Sequence, residues 1–299
     1  MTTVTITPVS AWTTPLTTTA VAGQKSASAS DVRAPIQVLA DRCEWLKDTL
    51  PGTIVAHSAS TYTPVALYQF AGNLTATVGS DLTVVDGTAA YHKMHGLTGF
   101  WFDGVTNLRS EAAITALASG ALTVEFIMLT SEESVFHSED GIGPYMRLVE
   151  YGPVGGSGDT NAAFRMTKAK VAGAGLRGTD GIDVTWEYGA GGDDETVNHT
   201  AMRHGSFLSQ LCHVAWTRSS DSLTSKLYIN GHLASTKTAS NAFTAGTSAT
   251  RRLFVGGAPG AGYGISGWLS SLKICASELS AANVLSEYNS CFGDFHGTL

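Results

Sequence analysis

Turn residues interrupt this chain at nearly every opportunity, and that punctuation is what limits its fold. From residue 65 onward the apolar residues come in short alternating runs: Ala66–Phe70, Gly99–Phe102, Leu122–Leu129, Tyr145–Tyr151, Ala163–Thr167, Asp183–Tyr188, Cys212–Arg218, Ser225–Ile229, Arg251–Val255 and Gly267–Ile274. Gly, Pro, Asn or Asp stands in almost every gap. Runs of this length and period make strands, and breaks at this frequency keep them short. Asn230-Gly231, set between Lys226–Ile229 and His232–Ala234, has the composition of a type I′ hairpin turn, whose two central residues both need positive φ. A charged fraction of 14%, against about 25% in an ordinary soluble domain, fits the same all-β reading. One late helix is expected around Ser280–Tyr288, capped by Ser277 or Ser280.

The first 64 residues have a different character. Residues 1–30 are rich in Thr, Ala and Ser and carry too little apolar area to fold alone. With Val4, Ile6, Trp12 and Leu16 they read as an extended anchoring arm ordered against a partner, or as a floppy tail. Residues 31–52 predict a helix, with Ser30 or Asp31 as cap and Pro51-Gly52 as stop. Val32, Ile36, Leu39, Cys43, Leu46 and Leu50 recur at spacings of four and three, a heptad seam. So short a helix is marginal alone in water, so the seam is expected either to self-associate, most readily as a trimer, or to dock on the chain's own β-domain. Residues 53–64 read as a linker and residues 65–299 as the sandwich domain.

The net charge of −7 and pI near 5.7 speak against nucleic acid, whose phosphates call for clustered Lys and Arg. No apolar stretch reaches the roughly 18 residues that span a bilayer, and the N-terminus lacks the basic start and apolar centre of a secretory signal. The cysteines Cys43, Cys212, Cys275 and Cys291 have no CxxC pairing and read as free thiols, with a Cys275–Cys291 bridge as the alternative.

Three ordered motifs resemble the laminin-G-like (concanavalin A-like lectin/glucanase) superfamily. They are Gly99-Phe100-Trp101-Phe102-Asp103-Gly104 followed by Leu122–Phe126; Leu211–Arg218 running into Lys226–Gly231; and Phe254–Gly257 followed by Gly267–Ile274 and Leu279-Ser280. The resemblance implies a two-sheet antiparallel jelly-roll sandwich. It also implies a ligand site on the rim loops or the concave sheet, and a binding role more often than a glycosidase one. Stretches 130–160 and 186–207 are long for the fold. The Thr-rich arm followed by Ser30–Leu46 resembles the start of bacteriophage tail, fibre and decoration proteins.

Catalytic candidates are lacking. Glycosidases need paired carboxylates about 5–5.5 Å apart for retention, and the E-x-D-x-x-E strand pattern does not occur. Glu132-Glu133, Glu139-Asp140 and Asp193-Asp194-Glu195 read as loop charge. Asp180, Asp183, Asp193, Asp194 and Glu195 are candidate calcium ligands, since hard cations take loop oxygens. His92 and His95 form a weak metal suggestion, and His213 reads as a core or turn histidine. Trp186, Tyr188, Tyr151 and Tyr263 are the candidate ligand-binding aromatics, being beside Gly-rich loops where a flat ring can stack on a sugar. Trp101, Trp216 and Trp268 read as core.

These features predict a non-enzymatic virion structural protein, a phage fibre, spike or decoration subunit, with no cofactor unless calcium. It would be assembled in the host cytoplasm, attach to other virion proteins through residues 1–30, and bind a host surface glycan through its sandwich. A carbohydrate-binding lectin or adhesion module is the alternative, and a glycoside hydrolase of the same fold the second alternative.

Overall fold

The computed structural model describes residues 2–6, 16–20, 54–59, 62–118, 120–130, 146–153, 164–170, 180–188, 193–200, 211–242, 251–257 and 264–292. The chain divides into two compact units, Met1–Pro51 and Gly52–Leu299. In the first, β1 (Thr2–Ile6) pairs antiparallel with β2 (Leu16–Ala20). The arm is thus hydrogen-bonded to itself as a hairpin. The predicted seam Val32, Ile36, Leu39, Cys43, Leu46, Leu50 lies outside the described residues.

Among its described residues the second unit has two antiparallel sheets, one α-helix and a 3₁₀ turn at Thr115–Ala118. The seven-stranded sheet has the order β13 (Asp193–Thr200), β12 (Asp180–Tyr188), β11 (Phe164–Lys170), β10 (Met146–Pro153), β17 (Arg251–Val255), β8 (Asn107–Ser110), β5 (Leu82–Asp86). The nine-stranded sheet runs β16 (His232–Thr238), β15 (Thr224–Ile229), β14 (Cys212–Arg218), β9 (Leu122–Thr130), β18 (Ser266–Cys275), β3 (Pro64–Gln69), β4 (Ala76–Val78). Its β7 (Leu97–Asp103) joins β18 and carries β6 (Tyr91–Met94). β18 is the spine: one edge pairs with β9, and the other is shared by β7 at its start and β3 at its end.

Alternation explains the core. Val124, Phe126 and Met128 of β9, Val214 and Trp216 of β14, and Leu272 and Ile274 of β18 meet Leu148, Val149, Tyr151, Leu253 and Val255 of the facing sheet. Residues of this kind fill a sandwich interior because one face of every strand must leave water. The short strands β4, β6 and β8 escape a reading by apolar runs because each is only three or four residues long with at most two apolar ones.

The most specific motif ends on a turn. Asn230 (φ +50°) and Gly231 (φ +79°) make the expected β15–β16 hairpin. The Asn230 side-chain oxygen accepts a hydrogen bond from His213 N at 3.0 Å. A Cβ on Gly231 would stand 2.8 Å from Leu285 Cδ1, so a helix can lie flat on the turn. Gly99 has the same role against Trp268, whose ring atoms come within 2.4 Å of where a Cβ would sit. Trp216 and Trp268 are buried as expected, while Trp101 is half-buried.

The helix, α1 (Ala281–Phe292), is capped by Ser280, whose Oγ accepts from Asn283 N at 3.2 Å, a contact typically worth about 1 kcal/mol. Its buried face is Val284, Glu287, Cys291 and Phe292, at the three-and-four spacing of an amphipathic helix. Among the described residues no helix is long and apolar enough to cross a membrane.

Candidate functional site

The residues singled out from sequence do not assemble into one site. Tyr151 is fully buried between the sheets, because β10 is a central strand flanked by β11 and β17; an exposed stacking role for it is overturned. Trp186 and Tyr188 are in β12, paired in register with Glu195 and Asp193 of β13. Tyr263 lies outside the described residues. Asp193, Asp194 and Glu195, expected in a loop, are at the head of strand β13, while Asp180 and Asp183 are in β12, Asp183 within the run expected as a strand. The following Thr196-Val197 pairs with Val184-Thr185 and draws the acids into the ladder. Cys212, Cys275 and Cys291 are buried and free, so Cys275 and Cys291 are not bridged.

The chemistry gathers elsewhere, on the face of the nine-stranded sheet turned away from its partner sheet. There β9 presents Thr123, Glu125 and Ile127, β14 presents His213, Ala215 and Thr217, and β18 presents Ser271, Lys273 and Cys275, all buried. α1 and residues 54–57 cover them, joined to each other by a hydrogen bond from Val55 N to Cys291 O at 2.9 Å. Lys273 pairs with Glu287 of α1 at 3.1 Å, both side chains essentially unexposed. His213 Nε2 stands 3.5 Å from Glu125 Oε1. His57 shares a hydrogen bond with Ser271 Oγ through Nδ1 at 2.9 Å, and its carbonyl accepts from Gln69 Nε2 at 2.6 Å. The two imidazoles meet edge to face, centroids 5.4 Å apart, and His213 also lies against the Tyr288 ring.

Electrostatics follow from that seclusion. Burial first, then the neighbouring His213 and Lys273, hold His57 well below the usual histidine range. Burial pushes the Cys291 and Cys275 thiols up to about 12, which makes them inert as nucleophiles. His57 Nε2, both ring nitrogens of His213 and both oxygens of Glu125 are buried without a hydrogen-bond partner. Donor atoms of His57, Glu125 and His213 all lie within 4.8 Å of one another, as do those of His57, Glu287 and Cys291. From sequence His213 reads as a core histidine, and His57, Glu125, Lys273 and Glu287 belong to no motif. The available signal was a charged or imidazole residue inside each of three otherwise apolar strands, plus a Glu in phase with Val284 and Cys291 on α1. His92, exposed and set edge-on to Trp101, and His95 join no metal-ligating group among the described residues.

A second buried polar contact bridges the two sheets. His199 of β13 accepts from Trp216 Nε1 at 3.4 Å and meets Ser225 Oγ at 2.9 Å. Burial, and secondarily Lys237, lower its pKa to about 4.

The sandwich is a concanavalin A-like jelly roll. Residues 153–285, under half of the chain, match the laminin-G-like family described as the concanavalin A-like lectin/glucanases superfamily. The second and third motifs fall inside that match, while the Gly99–Phe126 motif precedes it. No curated relative matches the sequence. Among solved structures, domain 4 of AbnA, a GH43 extracellular arabinanase from Geobacillus stearothermophilus, in complex with arabinotriose, is similar at 16% identity. That likeness covers 75% of this chain and 98% of that one with a TM-score of 0.52. The binding domain of botulinum neurotoxin DC in complex with SialylT is similar at 12% identity over 78% of this chain and 52% of that one, TM-score 0.51. The binding domain of Paraclostridial Mosquitocidal Protein 1 gives 13% identity over 76% and 51%, TM-score 0.52. The chain thus spans about half the length of these toxin binding domains. At such identities the likeness establishes the fold.

Proposed function

We propose that the protein is a non-enzymatic binding module whose jelly roll engages a carbohydrate or a glycosylated receptor. The observation that carries this reading is the likeness to the arabinanase domain, which the chain covers almost end to end and whose structure holds an arabinose oligosaccharide. The neurotoxin domain solved with SialylT lends support from a second branch of the fold. The buried carboxylates add to it: Glu125 and Glu287 are shut away from solvent, and a glycosidase pair must flank a scissile bond. A glycan array probed with the full chain tests the proposal. Retention of a restricted set of glycans is expected, together with no new reducing ends from a polysaccharide panel; turnover, or an array with no retained glycan, would count against it. Running the array with and without calcium also tests Asp180, Asp183, Asp193, Asp194 and Glu195 as ligands.

A second reading concerns placement. The separate unit Met1–Pro51 favours an anchoring and self-associating segment, and in this reading the protein is a homotrimeric subunit of a virion, assembled in a host cytoplasm. Light scattering on the full chain and on one beginning at Thr53 tests it. A trimer that falls to monomer on shortening is expected, and a monomeric full chain at micromolar concentration would overturn it.

A further inference from the structure

The cluster beneath α1 is short of one positive charge. Two buried carboxylates, Glu125 and Glu287, face one buried ammonium, Lys273. Lys273 stands opposite Glu125 in the β18–β9 register but pairs with Glu287 at 3.1 Å, and neither oxygen of Glu125, beside two imidazoles, is hydrogen-bonded. A lone buried carboxylate is strongly unfavourable unless a cation or donors meet it. The missing cation is either a proton on an imidazole or a metal ion.

The donor arrangement favours the metal. His57 is held through Nδ1 by Ser271, which leaves Nε2 buried without a hydrogen-bond partner. That division, one nitrogen anchored and the other offered, is how metal-binding histidines are oriented. His213 offers a second bare imidazole, edge to face with the first, and Glu125 offers a carboxylate. The ligand atoms are within 4.8 Å of one another. Tetrahedral zinc at roughly 2.0–2.2 Å from each ligand needs them roughly 3.4 Å apart, a modest contraction around an ion. A proton on His213 would satisfy Glu125 but leave His57 Nε2 with no partner.

We propose that His57, Glu125 and His213 form a structural site for a divalent transition-metal ion such as zinc, closed by a fourth ligand from α1. Glu287 and Cys291 both come within reach of His57 for that position. Two imidazoles with a carboxylate suit zinc rather than calcium, which prefers six or more oxygens. The ligands come from residues 54–57, β9, β14 and α1, so the ion staples the entry segment and the C-terminal helix to the sheet. It is buried and structural, distinct from any sugar-binding surface, so the glycan reading and this one fail independently.

Metal content of the purified full chain, measured by elemental mass spectrometry after dialysis against a weak chelator, tests it, together with visible spectroscopy of the cobalt-substituted protein. One equivalent of zinc and the intense visible bands of tetrahedral cobalt are expected. His213→Gln should lose both. Ser271→Ala, which keeps every ligand and frees only the His57 anchor, should weaken binding 10–100-fold with the far-ultraviolet spectrum unchanged, so that a loss is not mistaken for misfolding. Less than a tenth of an equivalent in the unaltered protein would mean that a proton fills the gap and overturn the proposal. Zinc retained undiminished by both variants would place it on other histidines and overturn it equally.

Discussion

Facing the seven-stranded sheet, strands β9, β14 and β18 present Val124, Phe126, Met128, Val214, Trp216, Leu272 and Ile274; facing α1, the same strands present Glu125, His213, Ser271 and Lys273. Both faces are shut from water. The first is sealed by packing that is indifferent to which apolar group touches which, provided the volume is filled. The second is sealed by pairings that work only with a named partner. Burial alone therefore does not tell what a residue contributes; the way its neighbours compensate for lost water does.

The largest effect should come from the apolar face. Phe126→Ala leaves a cavity between the sheets and is expected to cost about 3–5 kcal/mol in chemical denaturation, with no recovery from any change at α1. Lys273→Met should cost almost as much alone, about 3–5 kcal/mol, because Glu287 is left charged and buried. Here a second substitution repairs the first: Lys273→Met with Glu287→Leu should regain at least half of the loss. A double variant no better than the single one would erase the distinction between the faces.

Acid sharpens the comparison further. His199, between the sheets, is neutral in the folded protein, and both its neighbours, Trp216 and Ser225, can donate to Nε2. Its pKa is about 4 when folded and about 6.5 when unfolded, so below 6.5 the unfolded chain takes up the proton first. The stability it supports is complete above about pH 6.5, declines as pH falls, and is gone by about pH 4, a loss of up to about 3 kcal/mol. His199→Asn should flatten that part of the stability profile. The smallest effect is expected at Lys226–Glu278, an ion pair at 2.8 Å with about a third of each side chain exposed. Lys226→Ala should cost less than about 1 kcal/mol and less still at high salt.

Much of the architecture was legible in advance. The runs Cys212–Arg218 and Arg251–Val255 match their strands residue for residue, the Asn230-Gly231 hairpin is where its composition placed it, and Ser280 caps α1. Each depends on local propensities: period-two apolarity, positive φ, and a side-chain oxygen at a helix start. The short strands leave no run long enough to read, and the acids of 193–195 have the composition of a loop, because the pairing with β12 that holds them in a strand is not a local property.

The buried polar cluster belongs to the other category. His57, Glu125, His213, Lys273 and Glu287 come from five elements separated by up to 230 residues of chain, and each by itself looks like an ordinary polar residue that water would satisfy. What the sequence determined was the alternation that puts Glu125, His213 and Lys273 on one face of their strands. That this face is roofed by α1 and residues 54–57 follows from the way distant elements pack, which no local pattern encodes. That roof removes the water, and removing the water is what turns scattered surface charges into groups that must find one another.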